Sequence, residues 1–124
     1  NPLTSVMHHY RSGETGLGSD AVISSTIAKD GSLWFGTFNG GMTHYKDGRF
    51  TPYRATGKPN SLANDNVWAL ETDANGNIVI ATLGGGLQFL NTLSGKFTTY
   101  NSHNSGLLSD FILSISFNFI IFIF

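Results

Sequence analysis

Three aspartates recur in a single register, with 45 residues between Asp20 and Asp65 and again between Asp65 and Asp110. Carboxylates can act as general acids and bases, but catalytic carboxylates are singular and asymmetric, whereas these are periodic. An acid repeated just before each strand reads as a structural acceptor for the backbone N–H groups of its connecting loop, so no catalytic residue is assigned. The histidines are His8, His9, His44 and His103. Neighbours in a strand point to opposite faces, so His8 and His9 would not share a metal. All four read as strand-end and surface histidines, and no metal site is expected. Asp73-Ala74-Asn75-Gly76 begins like a calcium loop but lacks both the full alternation of acidic ligands and the closing glutamate, so an Asx-Gly hairpin turn explains it. Gly84-Gly85-Gly86 is not followed by the residues of a phosphate loop, and no serine sits in a Gly-x-Ser-x-Gly elbow. No cofactor is expected.

Composition points to the same modest chemistry. The chain has 124 residues, 40% hydrophobic and 12% charged, with a formal net charge of −1. So balanced a charge gives no reason to expect nucleic acid or an anionic membrane surface as partner. Cysteine is absent, which removes disulfide and thiolate chemistry and leaves the redox compartment open. The segment Asn1 to Tyr10 lacks the charged-then-apolar start of a signal peptide, and the chain does not begin with methionine. The expectation is a piece of a longer chain, or a processed product.

The elements that must position these residues come from the same period. Gly31 and Gly76, Thr37 and Thr82, and Gly41 and Gly86 keep the 45-residue offset, and two extra residues near Ser94-Gly95 then pair Tyr53 with Tyr100. Short β-branched and aromatic runs alternate with glycine-bearing turns such as Lys29-Asp30-Gly31, Asn39-Gly40-Gly41 and Lys46-Asp47-Gly48. Helical repeats would not survive that glycine density. In the first full copy the pattern predicts strands over Val22 to Ala28, Leu33 to Thr37, Gly41 to Lys46 and Arg49 to Arg54. Four antiparallel strands per repeat make one β-propeller blade. The fold class is therefore all-β, an incomplete β-propeller: 1–16 as the last strand of a preceding blade plus loop, 17–61 and 62–106 as two blade repeats, and 107–124 as the start of a third with an aberrant apolar tail.

Gly31-Ser32-Leu33-Trp34-Phe35-Gly36-Thr37 followed by Gly40-Gly41, and in the second copy Asp73-Ala74-Asn75-Gly76-Asn77, Ala81-Thr82 and Gly84-Gly85-Gly86-Leu87, resemble the two-component regulator propeller repeat. Ala28 stands where that family has aspartate, Val79 where it has tryptophan, and Ala81 where it has glycine. The resemblance covers roughly Leu17 to Asp110. It implies the periplasmic sensor portion of a hybrid two-component regulator of the Bacteroides kind, non-catalytic itself, which binds an oligosaccharide. In such proteins a membrane helix, a histidine kinase and a receiver follow; none of their signatures is in this chain, so membrane contact would come only through the missing parent segments. The alternatives are a blade fragment of a propeller lyase or glycosidase, or a protein-interaction scaffold.

Sugars stack on aromatic faces, and binding residues concentrate on loops. Trp34 lies inside a strand and reads as packing between blades. Trp68 stands at the start of an innermost strand, near a loop. The ligand-binding candidates are accordingly Arg54, Lys58, Asn60, Asn64, Asp65 and Trp68. A propeller closes with about four to eight blades, so the remaining blades of a larger ring, or other copies of the chain, are expected partners. The tail Phe117-Asn118-Phe119-Ile120-Ile121-Phe122-Ile123-Phe124 carries no turn residue where the register demands one. A truncated membrane helix and a buried or aggregation-prone strand compete with a frameshifted or truncated gene, and the last is the favoured reading.

Overall fold

The computed structural model describes residues 21–101, 103–104, 112–115 and 120–122. Two four-stranded antiparallel sheets follow one another along the chain, each with its strands in sequence order. The first comprises β1 (Val22–Ile27), β2 (Leu33–Thr37), β3 (Met42–Lys46) and β4 (Arg49–Tyr53). The second comprises β5 (Val67–Thr72), β6 (Ile78–Thr82), β7 (Leu87–Asn91) and β8 (Lys96–Tyr100). The strands expected in the first copy are found to within one residue at each end. This is an incomplete β-propeller, open rather than closed.

Local chemistry sets the turns. In both copies the β1–β2 type of turn is closed by the same pair of backbone bonds, from Ala28 N to Ser32 O and Gly31 N to Ala28 O, and from Asp73 N to Asn77 O and Gly76 N to Asp73 O. Asp73 Oδ1 also accepts from the N–H groups of Asn75 and Asn77, each at 2.9 Å. Ala28 occupies the position of Asp73 and has no carboxylate, so the acceptor comes from two residues later: Asp30 Oδ1 takes the Ser32 N–H at 2.9 Å. Opposite these turns, the hydroxyl of buried Thr37 donates to Gly41 O at 2.8 Å and that of Thr82 to Gly86 O at 3.0 Å. The Gly-Thr then Gly-Gly motif is thus a device that closes the β2–β3 and β6–β7 connections. Gly41 has φ +78, and a Cβ there would stand 2.3 Å from Tyr53 O, so only glycine fits.

The main core lies between the two sheets. Register places Trp34 opposite His44, and Met42 opposite Tyr53, on one face of the first sheet. Trp34 and Met42 pack with Leu62, Val67, Leu70, Ile78, Ile80 and Leu90, with Tyr53 and Phe97 at the margin. Each fully buried side chain of this size contributes roughly 1.5–3 kcal/mol. Polar bonds cross the same interface: Ser24 Oγ donates to Val67 O at 3.2 Å, Thr26 and Thr72 share a bond at 2.9 Å, and Thr72 Oγ1 donates to Ile27 O at 2.9 Å. Smaller clusters cover the outer faces, Leu33 and Phe35 on the first sheet and Val79, Ala81 and Leu87 on the second.

Both innermost strands break register at the same repeat position, between Val22 and Ser24 in β1 and between Val67 and Ala69 in β5. Such bulges bend a strand and leave one residue outside the ladder. Here those residues are Ile23 and Trp68.

Beyond the second sheet, β9 (Ile112–Ile115) pairs antiparallel with β10 (Ile120–Phe122), with Ile120 opposite Ile115. Ile112 stands 45 residues after Val67, so β9 occupies the register of β5 in a third copy. Residues 120–122 thus pair as a strand despite the missing turn residue. The strand expected within 1–16, His8 and His9, Asp20, Asp110 and the rest of the tail lie outside the described residues. Among the described residues no helix is long and apolar enough to cross a membrane.

Candidate functional site

The six residues singled out from the sequence lie on the 54–66 connection and the start of β5: Arg54, Asn64, Asp65 and Trp68 where it meets the β2–β3 and β6–β7 turns, and Asn60 farther along, beside Phe97 near the β7–β8 turn. Most of their polar atoms hold that connection in place. Asp65 Oδ1 accepts the Ala55 N–H at 2.7 Å, its Oδ2 meets Arg54 at 3.3 Å, and its carbonyl accepts the Gly41 N–H at 2.8 Å. It is the structural acceptor expected of the periodic aspartate. Asn64 Oδ1 accepts from Asn66 N at 2.8 Å. Asn60, at φ 60, uses its Oδ1 to accept from Phe97 N at 2.8 Å, tying the loop to the outermost strand of the second sheet. Lys58 donates its backbone N–H to Thr56 Oγ1 and leaves its side chain exposed. Trp68 is half-buried on the bulge of β5. The structure therefore joins Arg54 to Asp65, assigns the amides of Asn60 and Asn64 to loop geometry, and leaves Lys58 and Trp68 as the side chains with surface to offer.

At the opposite end of the blades the two sheets part around a cleft of about 480 Å³, within the range of about 300–1,000 Å³ that small-molecule sites occupy. Its walls come from the β1–β2 turn and the facing strands β2 and β3 on one side, and from the β5–β6 and β7–β8 turns on the other. Trp34 and His44 form its floor, stacked with ring centroids 4.1 Å apart and planes 15° from parallel. The aromatic contacts continue from Trp34 to Tyr53 at 5.4 Å and from Tyr53 to Phe97 at 6.3 Å, bridging the two sheets. The indole Nε1 of Trp34 is buried and has no hydrogen-bond partner among the described residues.

A polar chain runs along the first wall. His44 Nε2 lies 2.8 Å from Ser32 Oγ, Ser32 Oγ donates to Asp30 Oδ1, and Asp30 Oδ2 pairs with Lys46 Nζ at 3.1 Å. Because the serine proton goes to the carboxylate, its oxygen accepts from histidine, and His44 carries its proton on Nε2. That polarity is the reverse of a nucleophilic triad, in which histidine takes the serine proton, so Ser32 is not activated. The Ser32 hydroxyl and backbone N–H, with help from Lys46, pull Asp30 down to about 2. Burial pushes His44 below its usual value, against the opposing pull of Asp30, and burial raises Tyr53. Across the mouth, Lys29 Nζ donates to the carbonyl of Ala74.

His44 corrects the reading of the histidines as strand-end and surface residues. It is half-buried because its register partner is Trp34, on the face turned toward the second sheet. His103, in contrast, is exposed. The signal that would have found the cleft is a break in the repeat: Asp30, Ser32, Trp34, His44 and Lys46 correspond, 45 residues on, to Asn75, Asn77, Val79, Phe89 and Asn91. Among the described residues no group of three histidine, cysteine, aspartate or glutamate side chains is placed to hold a metal ion.

The family model described as two component regulator propeller matches residues 16–39. No curated protein matches the chain. Among solved structures, the extracellular domain of BT3049 from B. thetaiotaomicron, described as a hybrid two-component system, is similar at 26% identity and a TM-score of 0.71 over 83% of this chain. The extracellular domain of BT4673 from the same organism, described in the same way, follows at 24% identity and a TM-score of 0.64 over 83% of this chain. PorZ, a surface component of the type-IX secretion system of Porphyromonas gingivalis, shares the fold at 18% identity and a TM-score of 0.59 over 81% of this chain. The chain spans 15% of the length of each of these structures. Residues 16–39 thus match one two component regulator propeller repeat, and the chain as a whole shares its fold with these three structures, with its likeness to the BT3049 extracellular domain at 26% identity.

Proposed function

We propose that the chain is a non-catalytic segment of a periplasmic sensor propeller in a hybrid two-component system, and that the propeller binds an oligosaccharide. The observation that carries this reading is the likeness to the extracellular domain of BT3049 across 83% of the chain, joined to the family match over the first blade. In this reading further blades, or other copies of the chain, complete the ring. The sugar lies at the loop end, with Trp68 offering an aromatic face and Lys58 a hydrogen-bond donor, while Arg54, Asn60, Asn64 and Asp65 fix the loop that frames them. Binding biases a rigid-body arrangement of blades that a kinase outside this chain reads.

Thermal-shift measurements on the intact protein against a panel of oligosaccharides, with product analysis of each mixture, test the reading. The expected result is stabilisation by one saccharide class without turnover, lost in Trp68→Ala with unchanged circular dichroism. Turnover of the stabilising sugar would instead favour a propeller enzyme.

A further inference from the structure

We infer that the cleft between the two blades, at the end opposite the loop site, is a second binding site and that it takes a small carboxylate-bearing ligand. Among the described residues the cleft is lined by two lysines and one acid, Lys29, Lys46 and Asp30, in a chain whose net charge is −1. Lys46 and Asp30 neutralise each other at 3.1 Å. Lys29 donates to a neutral carbonyl, that of Ala74, so its positive charge has no counter-ion at the cleft mouth. One uncompensated cation above an aromatic floor matches a single carboxylate group of a ligand.

Neutral donors stand beside it. Asn91 Oδ1 already accepts the N–H groups of Leu93 and Ser94, which leaves its amide NH2 for another partner. The side chain of Asn75, at the tip of the β5–β6 turn, is exposed and makes no hydrogen bond among the described residues. An ammonium and two primary amides around one opening are the groups that recognise a carboxylate and the hydroxyls near it.

The second observation is singularity. Purely architectural features of this chain occur twice: the bulge, the Thr–Gly closure and the turn bonds. The aromatic and charged wall of the cleft occurs once, because Trp34, His44 and Lys46 give way to Val79, Phe89 and Asn91 in the next blade. The inference does not rest on the saccharide reading of the loop end.

Calorimetric titration of the intact protein at low salt tests it, with digalacturonate, neutral galactobiose, citrate and inorganic phosphate as probes. Binding of digalacturonate, with Lys29→Ala and Asn75→Asp each weakening it about tenfold, the scale of one charge-assisted bond, supports a uronate ligand. Citrate bound as well or better, with the same two losses, supports a free organic acid. The titrations are run in the Trp68→Ala background, so that any saccharide held at the loop end does not enter the comparison, and both cleft variants keep the circular dichroism of that background. Equal binding of galactobiose, tighter binding of phosphate, indifference to both cleft substitutions, or no binding of any carboxylate overturns the inference.

Discussion

Gly36 in β2 and Val67 at the head of β5 approach so closely that a Cβ added at position 36 would stand 2.6 Å from Val67 Cγ1 and 2.8 Å from the Val67 carbonyl oxygen. The Ser24 hydroxyl would be nearer still, at 2.1 Å. The sheets meet where β2 has no side chain to offer and the Ser24 hydroxyl of β1 reaches across to the Val67 carbonyl. Gly36→Ala is expected to destabilise the protein by about 1–3 kcal/mol, the scale of overpacking a filled core. Urea denaturation reads this directly, and a change within about 0.5 kcal/mol, the scale of a neutral surface substitution, would contradict so tight an approach.

The two threonine closures differ in a way that makes an ordering. Thr37 Oγ1 donates to Gly41 O, whereas Thr82 Oγ1 donates to Gly86 O and also accepts the Gly85 N–H at 3.0 Å. Replacement by valine keeps the shape and removes the hydroxyl. Thr37→Val is expected to cost about 1 kcal/mol and Thr82→Val about 2, since the second also strands a donor. Equal losses would mean that the Gly85 bond contributes nothing.

Gln88 is a buried amide in β7 that holds three partners. Its Nε2 donates to Ser61 O and to Thr99 Oγ1, each at 2.9 Å, and its Oε1 accepts the Ala63 N–H at 2.9 Å. Gln88→Leu fills the same space and leaves the backbone of Ser61 and Ala63 unpaired. A loss of about 2–4 kcal/mol is expected from two stranded groups, with faster hydrogen exchange at Ala63 than in the parent. Unaltered exchange at that amide would place the latch elsewhere.

His44 gives stability a dependence on acid. Burial lowers its pKa from 6.5 in the folded state, so below that pH the unfolded chain binds the proton more readily. Stability therefore rises with pH in this window and falls as pH drops through 6.5 toward the lowered folded value. Asp30 acts further down, because its pKa falls from 3.8 to about 2: its contribution is present above 3.8 and is lost as pH descends through about 2. His44→Phe, which installs the residue of the second copy, is expected to flatten the upper slope and keep the lower one in a series of melts from pH 8 to about pH 2. An upper slope that survives in His44→Phe would assign it to another group.

Most of the framework was legible in the chain because it is local. Gly31, Gly41 and Gly48 mark turns through their own backbone preferences, and short aromatic and apolar runs such as Leu33 to Thr37 mark strands without knowledge of neighbours. The role of Asp65 was readable for the same reason, since a repeated acid before a strand has a loop to hold. The cleft was not, because it depends on which face of β2 and β3 turns toward the next blade. Trp34 and His44 are ten residues apart and meet only through the register of the first hairpin. Arg54, Asn60 and Asn64 look like surface groups free for a ligand, yet their partners Asp65, Phe97 and Asn66 are fixed by a loop conformation that composition does not encode.

The bulge shared by β1 and β5 has a further consequence for how such a protein diversifies. The other positions of β1 and β5 each have a ladder partner in β2 or β6, which fixes the direction of the side chain. Ile23 and Trp68 stand outside the paired register, and the two copies already differ there as widely as an aliphatic and an indole side chain allow. A side chain at that position is released from the pairing that orients its neighbours, which gives each unit of the array a place where a new side chain breaks no ladder contact.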